Sequence, residues 1–290
     1  MSTATTSSEG VHVKKIAARA GGKGASLADR ADRHVLYQLS VQNVESEIDF
    51  VDATYKKIRG KKAKVLREDF CGTGNTSCEW VGRRPSNRAY GVDIDAETLA
   101  WGRENNVAEL EDDGFERIEL VEGDVLDTET EKADCLLAMN FSYWLFMTRE
   151  KMIQYFTRVR ENLADDGIFF LDCYGGYDAF REYQEKRKVE GEEFTYVWDQ
   201  HDYDPITGHM QCYIHFAFPD GSKLDRAFDY RWRLWTLPEL QELLAEAGFS
   251  RVGVYWEQTD EDTGEGNGVY ERATRGDADA GWISYIVAER

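Results

Sequence analysis

Apolar positions along this chain follow two alternating rhythms. Dense runs of Val, Ile, Leu, Phe and Ala at 64–70, 88–94, 116–121, 133–140 and 167–174 have the length and texture of strands. Between them, 75–82, 95–106 and 149–163 space their apolar residues as helices do. Strands alternating with helices imply an α/β fold, a doubly wound Rossmann-like sheet that is mostly parallel. Such a sheet binds its ligand at the carboxyl ends of the strands.

The rhythm changes on either side of that core. Residues 1–30 are Ser, Thr, Ala, Gly and Lys with hardly an aromatic, and predict a disordered tail. Residues 31–60 predict a helical cap, with Val44, Ile48, Val51 and Tyr55 on one stripe of a helix over 44–58. The cofactor-binding core is expected at 61–193. After it the period drops to two, and 194–200, 210–218 and 224–235 read as antiparallel strands joined by turns at 204–208 and 219–221. This β insertion after the fifth strand, 194–235, places Tyr213, His215 and Ala217 on one side. Cys212, Ile214, Phe216 and Phe218 fall on the other. The C-terminal part of the core, 236–290, opens with Thr236 as helix cap, Pro238 in the first turn and Glu239 as the box acid. That helix ends at Gly248. Strands at 252–256 and 283–288 follow, joined by an acidic, Gly-rich loop over about 258–280.

The most informative stretch is Lys64 to Ser77. It reads as a strand, a glycine turn and the start of a helix. Gly72 and Gly74 permit φ > 0 and leave the backbone bare for close approach, and the helix that follows points its first N–H groups into the same space. About 20 residues on, the strand Ala89-Tyr-Gly-Val-Asp-Ile-Asp95 ends in a carboxylate, the spacing that suits an acid reaching a ribose. Val121-Glu-Gly-Asp-Val125 ends a third strand, and 133–141 leads a fourth into a loop.

In order and spacing these four elements resemble the class I S-adenosylmethionine-dependent methyltransferases. Glu68 stands at that family's first acid, and Cys71-Gly72-Thr73-Gly74 reproduces a common ending of its glycine turn. Phe70 replaces the family's first glycine. The resemblance implies S-adenosylmethionine as cofactor, with Glu68 facing the methionine ammonium and Asp93 accepting both ribose hydroxyls. Ile94 would pack on the adenine, whose edge Asp124 and the Val125 N–H would read, and Asn140 would complete the contacts. Phe70 and Cys71 would lie beside the turn. The insertion resembles the lid of amino-sugar and glycine-type N-methyltransferases, which implies that it roofs an acceptor pocket.

On the acceptor side the candidates are Ser142, Tyr143 and Trp144 after the fourth strand and Tyr174 after the fifth. Tyr37 from the cap and Arg231 and Trp232 from the insertion join them. Aromatic rings at an open strand end suit an amine held by cation–π contact, and Arg231 suits a carboxylate. No general base stands out; Tyr143, Tyr174, His201 and His215 are the candidates. Cys173-Tyr-Gly-Gly also resembles a cysteine turn of arsenite methyltransferases. The cysteine which that family keeps after the fourth strand is replaced by Asn140-Phe141, so no metal site is expected. The implied activity is methyl transfer to a small molecule, first an amine, with oxygen or carbon of a small acid or phenol, RNA or protein as alternative acceptors.

Composition narrows this further. Fifty-five acids against 35 bases give a net charge of −20, which repels phosphate backbones and anionic membranes. The expected partner is a small-molecule acceptor rather than nucleic acid or a membrane, and a homo-oligomer is compatible with the sequence. Five cysteines with no Cys-x-x-Cys spacing suggest reduced thiols and a cytoplasmic protein.

Overall fold

The computed structural model describes residues 24–111, 113–260 and 266–290. These group into two compact units. The larger contains Asn43–Arg181, Asp204–His209 and Trp232–Arg290. The smaller contains the described residues up to Gln42 together with Glu182–Tyr203 and Met210–Arg231.

The core unit begins with a helix, Val44–Arg59, which we number α3 after two shorter helices in the smaller unit, α1 (Leu27–Arg30) and α2 (Arg33–Ser40). Then come β1 (Val65–Asp69), α4 (Asn75–Arg83), β2 (Arg88–Asp93), α5 (Ala96–Asn105), β3 (Ile118–Glu122), β4 (Ala133–Ala138), α6 (Arg149–Asn162) and β5 (Leu163–Gly175). In the smaller unit β6 (Tyr183–Lys188), β7 (Thr195–Tyr203), β8 (His209–Ala217) and β9 (Lys223–Arg233) form a four-stranded sheet in that order. The chain closes with α7 (Leu237–Glu246), β10 (Arg251–Thr259), β11 (Gly266–Ala273) and β12 (Trp282–Glu289).

The core sheet has the strand order β11-β10-β12-β5-β4-β1-β2-β3. Its five leading strands pair parallel, and β12 inserts antiparallel between β5 and β10. The order reverses at β1 and β4, so their carboxyl ends open the crevice where a ligand binds. One face is packed by α3 and its neighbours through Ile48, Val51, Tyr55, Leu66, Leu137 and Phe170. On the other, Tyr155 and Phe156 of α6 pack on Phe169, as does Phe249 beyond α7. The cap of α7 forms as its residues dictate. Thr236 accepts from the Glu239 N–H, and the Glu239 carboxylate accepts from the Thr236 N–H at 2.9 Å.

In the smaller unit, Ile214 and Phe216 of β8 pack with Leu36 of α2, Phe194 and Ala227. One side of the β8 alternation is therefore its core side, and Tyr213 and His215 lie on the opposite face.

Three sequence expectations change. Residues 27–30, assigned to a disordered tail, form a helix whose N-cap, Ser26, makes a capping box with Asp29; residues 1–23 lie outside the described residues. The acidic segment 258–280 contains β11, paired to β10 at the sheet edge, and 183–188, to which the sequence assigns no element, forms β6. Both strands are exposed along nearly all their length. An edge strand with water on both faces has no period-two signal to display.

A buried ion pair lies within β1. Arg67 Nε donates to Asp69 Oδ1 at 2.7 Å with both side chains 1% exposed, and the Tyr155 hydroxyl donates to Asp69 Oδ2. Arg67 also donates to the carbonyls of Thr128 and Val125, fixing the loop after β3. Removing one partner strands the other charge in the core. Asp69→Ala is expected to destabilise the protein by about 3–5 kcal/mol, measured by denaturant unfolding; a loss below about 1 kcal/mol would show that the guanidinium finds water.

Candidate active site

The turn after β1 is held by carboxylates. Backbone φ is positive at Phe70 (58°), Gly72 (53°) and Gly74 (67°). Gly74 is the N-cap of α4, and a Cβ there would lie 2.7 Å from Leu120 Cδ2. The Gly72 N–H donates to Asp93 Oδ2 at 2.8 Å, while the Asp95 N–H donates to Oδ1 at 2.9 Å. One side chain at the end of β2 thus orients the glycine turn and its own following loop. Asp93 is only partly buried, and its carboxylate has accepting capacity beyond these two bonds. Ile94, beside it, is an apolar side chain left 72% exposed. At the end of β3 the exposed Asp124 accepts from the Leu126 N–H at 2.9 Å, and Val125 is buried.

Glu68, the acid expected to face the methionine ammonium, is buried in β1 beside the first turn of α4. Its Oε2 accepts from the Ser77 N–H at 3.0 Å and from Ser77 Oγ at 2.6 Å, so it caps the first turn of α4. Burial pushes its carboxyl up to about 7, against those stabilising bonds. Phe70 turns its ring to Phe146 and Tyr155, 6.1 and 5.6 Å away. Cys71 is buried against Gly91, where a Cβ would meet its Sγ at 2.8 Å. Burial raises the thiol well above its usual range, which makes Cys71 a packing residue.

The loop after β4 depends on an acid that the sequence reading missed. Asp172, buried in β5, accepts from the Asn140 N–H at 2.7 Å and the Phe141 N–H at 2.9 Å. Both donors sit at φ 56°, an uncommon conformation for residues other than glycine. Burial drives the Asp172 carboxyl up to about 7. Its signal was present in Ile168-Phe-Phe-Leu-Asp-Cys173, an acid inside an otherwise apolar run.

Of the acceptor-side candidates, Trp144, Tyr174 and Trp232 meet in the core unit, joined by Phe141. Trp144 stacks on Tyr174 at 4.8 Å, Phe141 meets Tyr174 edge-on at 4.8 Å, and Trp232 lies 6.0 Å from Trp144. Ser142 donates to the Met139 carbonyl. Tyr143 does not serve as a base: it is fully buried and its hydroxyl donates to the Asp172 carbonyl at 2.7 Å. Tyr37, His201, His215 and Arg231 belong to the smaller unit. There Tyr37 packs on Phe228, and Arg231 is exposed. His215 Nδ1 accepts from the Arg226 N–H at 3.1 Å, with Nε2 3.3 Å from Asp199, and His201 is 3.7 Å from the same carboxylate.

Residues 71–169 match the methyltransferase domain family. Solved structures similar to the chain include an S-adenosylmethionine-dependent methyltransferase from Clostridium acetobutylicum, 16% identical with a TM-score of 0.61, covering 88% of this chain and 96% of that one. An amino pentose methyltransferase from Micromonospora echinaspora, solved with bound S-adenosylmethionine, is 16% identical with a TM-score of 0.61, over 89% and 95% of the two chains. A sugar N-methyltransferase from Streptoalloteichus is 16% identical with a TM-score of 0.60, over 100% and 98%. At this identity the likeness is one of fold. No curated protein matches the sequence.

Glu68 and Asp172 make the ligand-free protein sensitive to pH. An acid whose folded-state pKa is raised holds more protons folded than unfolded between the two values, so stability falls as pH rises through that window. Here the window runs from the ordinary carboxylate range to about 7. The thermal midpoint is expected to fall between pH 5 and pH 8, and Glu68→Gln to flatten the slope by at most about 1.4 kcal/mol per pH unit. Identical slopes in the two proteins would mean that Glu68 is ionised throughout.

Proposed function

Since the chain carries a methyltransferase domain, we propose that it is an S-adenosylmethionine-dependent enzyme that methylates a small molecule, at the nitrogen of an amine. The observation that carries the cofactor reading is the Asp93–Gly72 hydrogen bond. It joins the glycine turn to the acid of the next strand, fixing together the two elements that meet a nucleoside.

Asp93 would receive the ribose hydroxyls on oxygens already aligned by backbone donors. Ile94 and the loop Asp124–Leu126 would take the adenine, with Arg67 holding that loop through the Thr128 carbonyl. The backbone of Cys71 to Gly74 would face the methionine end, and Asn140 would close it from the β4 side. S-adenosylmethionine supplies a methyl group already activated on a sulfonium. The protein's remaining tasks are therefore alignment and exclusion of water. The paired positive-φ residues Asn140 and Phe141 support this reading, since backbone strain of this kind clusters at functional sites.

Three things support an amine acceptor. Phe141 and Tyr174 bring half-buried rings together at the carboxyl ends of β4 and β5, over the buried Trp144, where a cation is attracted by the ring quadrupole. Asp93, Asp124 and Asp172 put carboxylates at that edge of the sheet. Similar folds include a sugar N-methyltransferase and an amino pentose methyltransferase.

Hydrogen bonds to charged groups are worth about 1.5–3 kcal/mol. Asp93→Ala should therefore weaken S-adenosylmethionine binding by roughly 10- to 100-fold, while Cys71→Ala should leave it within a few-fold. Titration calorimetry on the two folded variants reads both, and unchanged affinity in Asp93→Ala would remove the ribose assignment. A radiolabelled methyl-transfer screen over amines, acids, phenols and bulk tRNA tests the acceptor class. Label in phenols or tRNA alone would displace the amine reading.

A further inference from the structure

Sheet register places several acids on one face of the core. Glu68 pairs with Leu137, and Leu137 with Phe170, so the three side chains share a face. Asp172, two residues beyond Phe170, lies on that same face, and Tyr285 is its partner in β12. Helix α3 covers it: Phe50 stacks on Tyr285 at 4.4 Å and meets Phe170 edge-on at 6.1 Å. Glu47 sits one turn before Phe50, toward the carboxyl edge of the sheet. It is buried, and its Oε2 has no hydrogen-bond partner. Glu47 interrupts an apolar stripe of α3, between Val44 and Ile48 on one side and Val51 on the other. A carboxylate at such a position is costly unless something charged meets it.

Glu47, Glu68 and Asp172 therefore form a buried acidic group with no compensating base. Facing them are Ser77, Thr76, the Asn140 and Phe141 N–H groups, the Asn43 backbone, and the phenols of Tyr285 and Tyr270. Among the described residues, no Lys or Arg forms an ion pair with any of the three. Nor does any group of three acids, histidines or cysteines there have the arrangement to hold a metal ion. Burial raises the carboxyls of Glu47, Glu68 and Asp172 to about 7, and Glu47 raises the other two further. Each is poised to ionise when a cation arrives. The group lies beside the turn that follows β1 and the loop that follows β4, where the cofactor's methionine portion is read above.

We propose that Glu47 completes, with Glu68 and Asp172, a seat for a positively charged alkyl group of the bound methyl donor, its sulfonium or its α-ammonium. This rests on the reading that the chain binds S-adenosylmethionine. It assigns a role in cofactor selection to the helix that precedes the glycine turn. Glu47 acts there by charge, so its removal discriminates among ligands rather than weakening all of them.

Three probes separate the sources: S-adenosylmethionine carries both cations, S-adenosylhomocysteine only the ammonium, and methylthioadenosine neither. In Glu47→Gln, S-adenosylmethionine is expected to bind about 10-fold or more weakly, with methylthioadenosine within about two-fold of wild type. Equal losses for S-adenosylmethionine and S-adenosylhomocysteine identify the ammonium, and a loss confined to S-adenosylmethionine identifies the sulfonium. Unchanged affinity for all three, or an equal loss for all three, overturns the proposal while leaving the cofactor reading in place. Failure of the wild-type protein to bind any of them overturns both. A second measurement needs no variant. At pH 7, calorimetry in buffers of different ionisation enthalpy should show protons released on binding S-adenosylmethionine and none on binding methylthioadenosine. Absence of that release also overturns the seat.

Discussion

Backbone donors held by carboxylates are the interaction on which this site depends. At or just beyond four of the five parallel strands, an acid accepts the N–H groups of a turn. Glu68 takes Ser77, Asp93 takes Gly72 and Asp95, Asp124 takes Leu126, and Asp172 takes Asn140 and Phe141. Loops at the open edge of a parallel sheet expose donors that no ladder satisfies. A carboxylate can satisfy two of them at once, as Asp93 and Asp172 do. Asn140 and Phe141 hold φ 56° with their N–H groups paired in this way.

The same device makes the edge electronegative. Asp93 and Asp124 are partly or wholly solvated, so their charges are screened. Glu68, Asp172 and Glu47 are buried, and their charges act on one another through a poor dielectric. The opposite face of the sheet shows the contrast. There Arg67 lies against Asp69, and the pair is closed by Tyr155 and two carbonyls. One face thus carries a neutralised pair that fixes a loop, and the other carries acids awaiting a cation. Their difference is one guanidinium.

Much of this was legible in the sequence. The alternation of strand and helix located all five parallel strands, and the glycines and Asp93 marked the crevice because their chemistry is local: a turn needing φ > 0, an acid at a fixed distance. Capping of α7 was equally local. What escaped depends on tertiary neighbours. Asp172 serves a loop 31 residues earlier in the chain, and Glu47 has meaning only because α3 lies over Tyr285. Tyr143 read as an exposed ring after a strand, yet the turn folds back and buries it under the carbonyl of Asp172. Edge strands β6 and β11 escaped for the converse reason, since most of their side chains are exposed and burial imposes no period on them.

These misses share a pattern that bears on how the site is built. A charged residue within an apolar period is a conflict between local preference and global fold, and such conflicts persist where something offsets their cost. Asp172 is offset by two backbone donors in a strained loop. Arg67 is offset by Asp69. Glu47 shows a buried oxygen with no such offset within the protein. A core that satisfies its other buried acids so fully has the means to satisfy this one, or to replace it with the leucine its helical stripe calls for. Retaining a carboxyl there is intelligible if its partner arrives with the ligand, and the stability it forgoes in the empty protein becomes selectivity for a cation in the filled one.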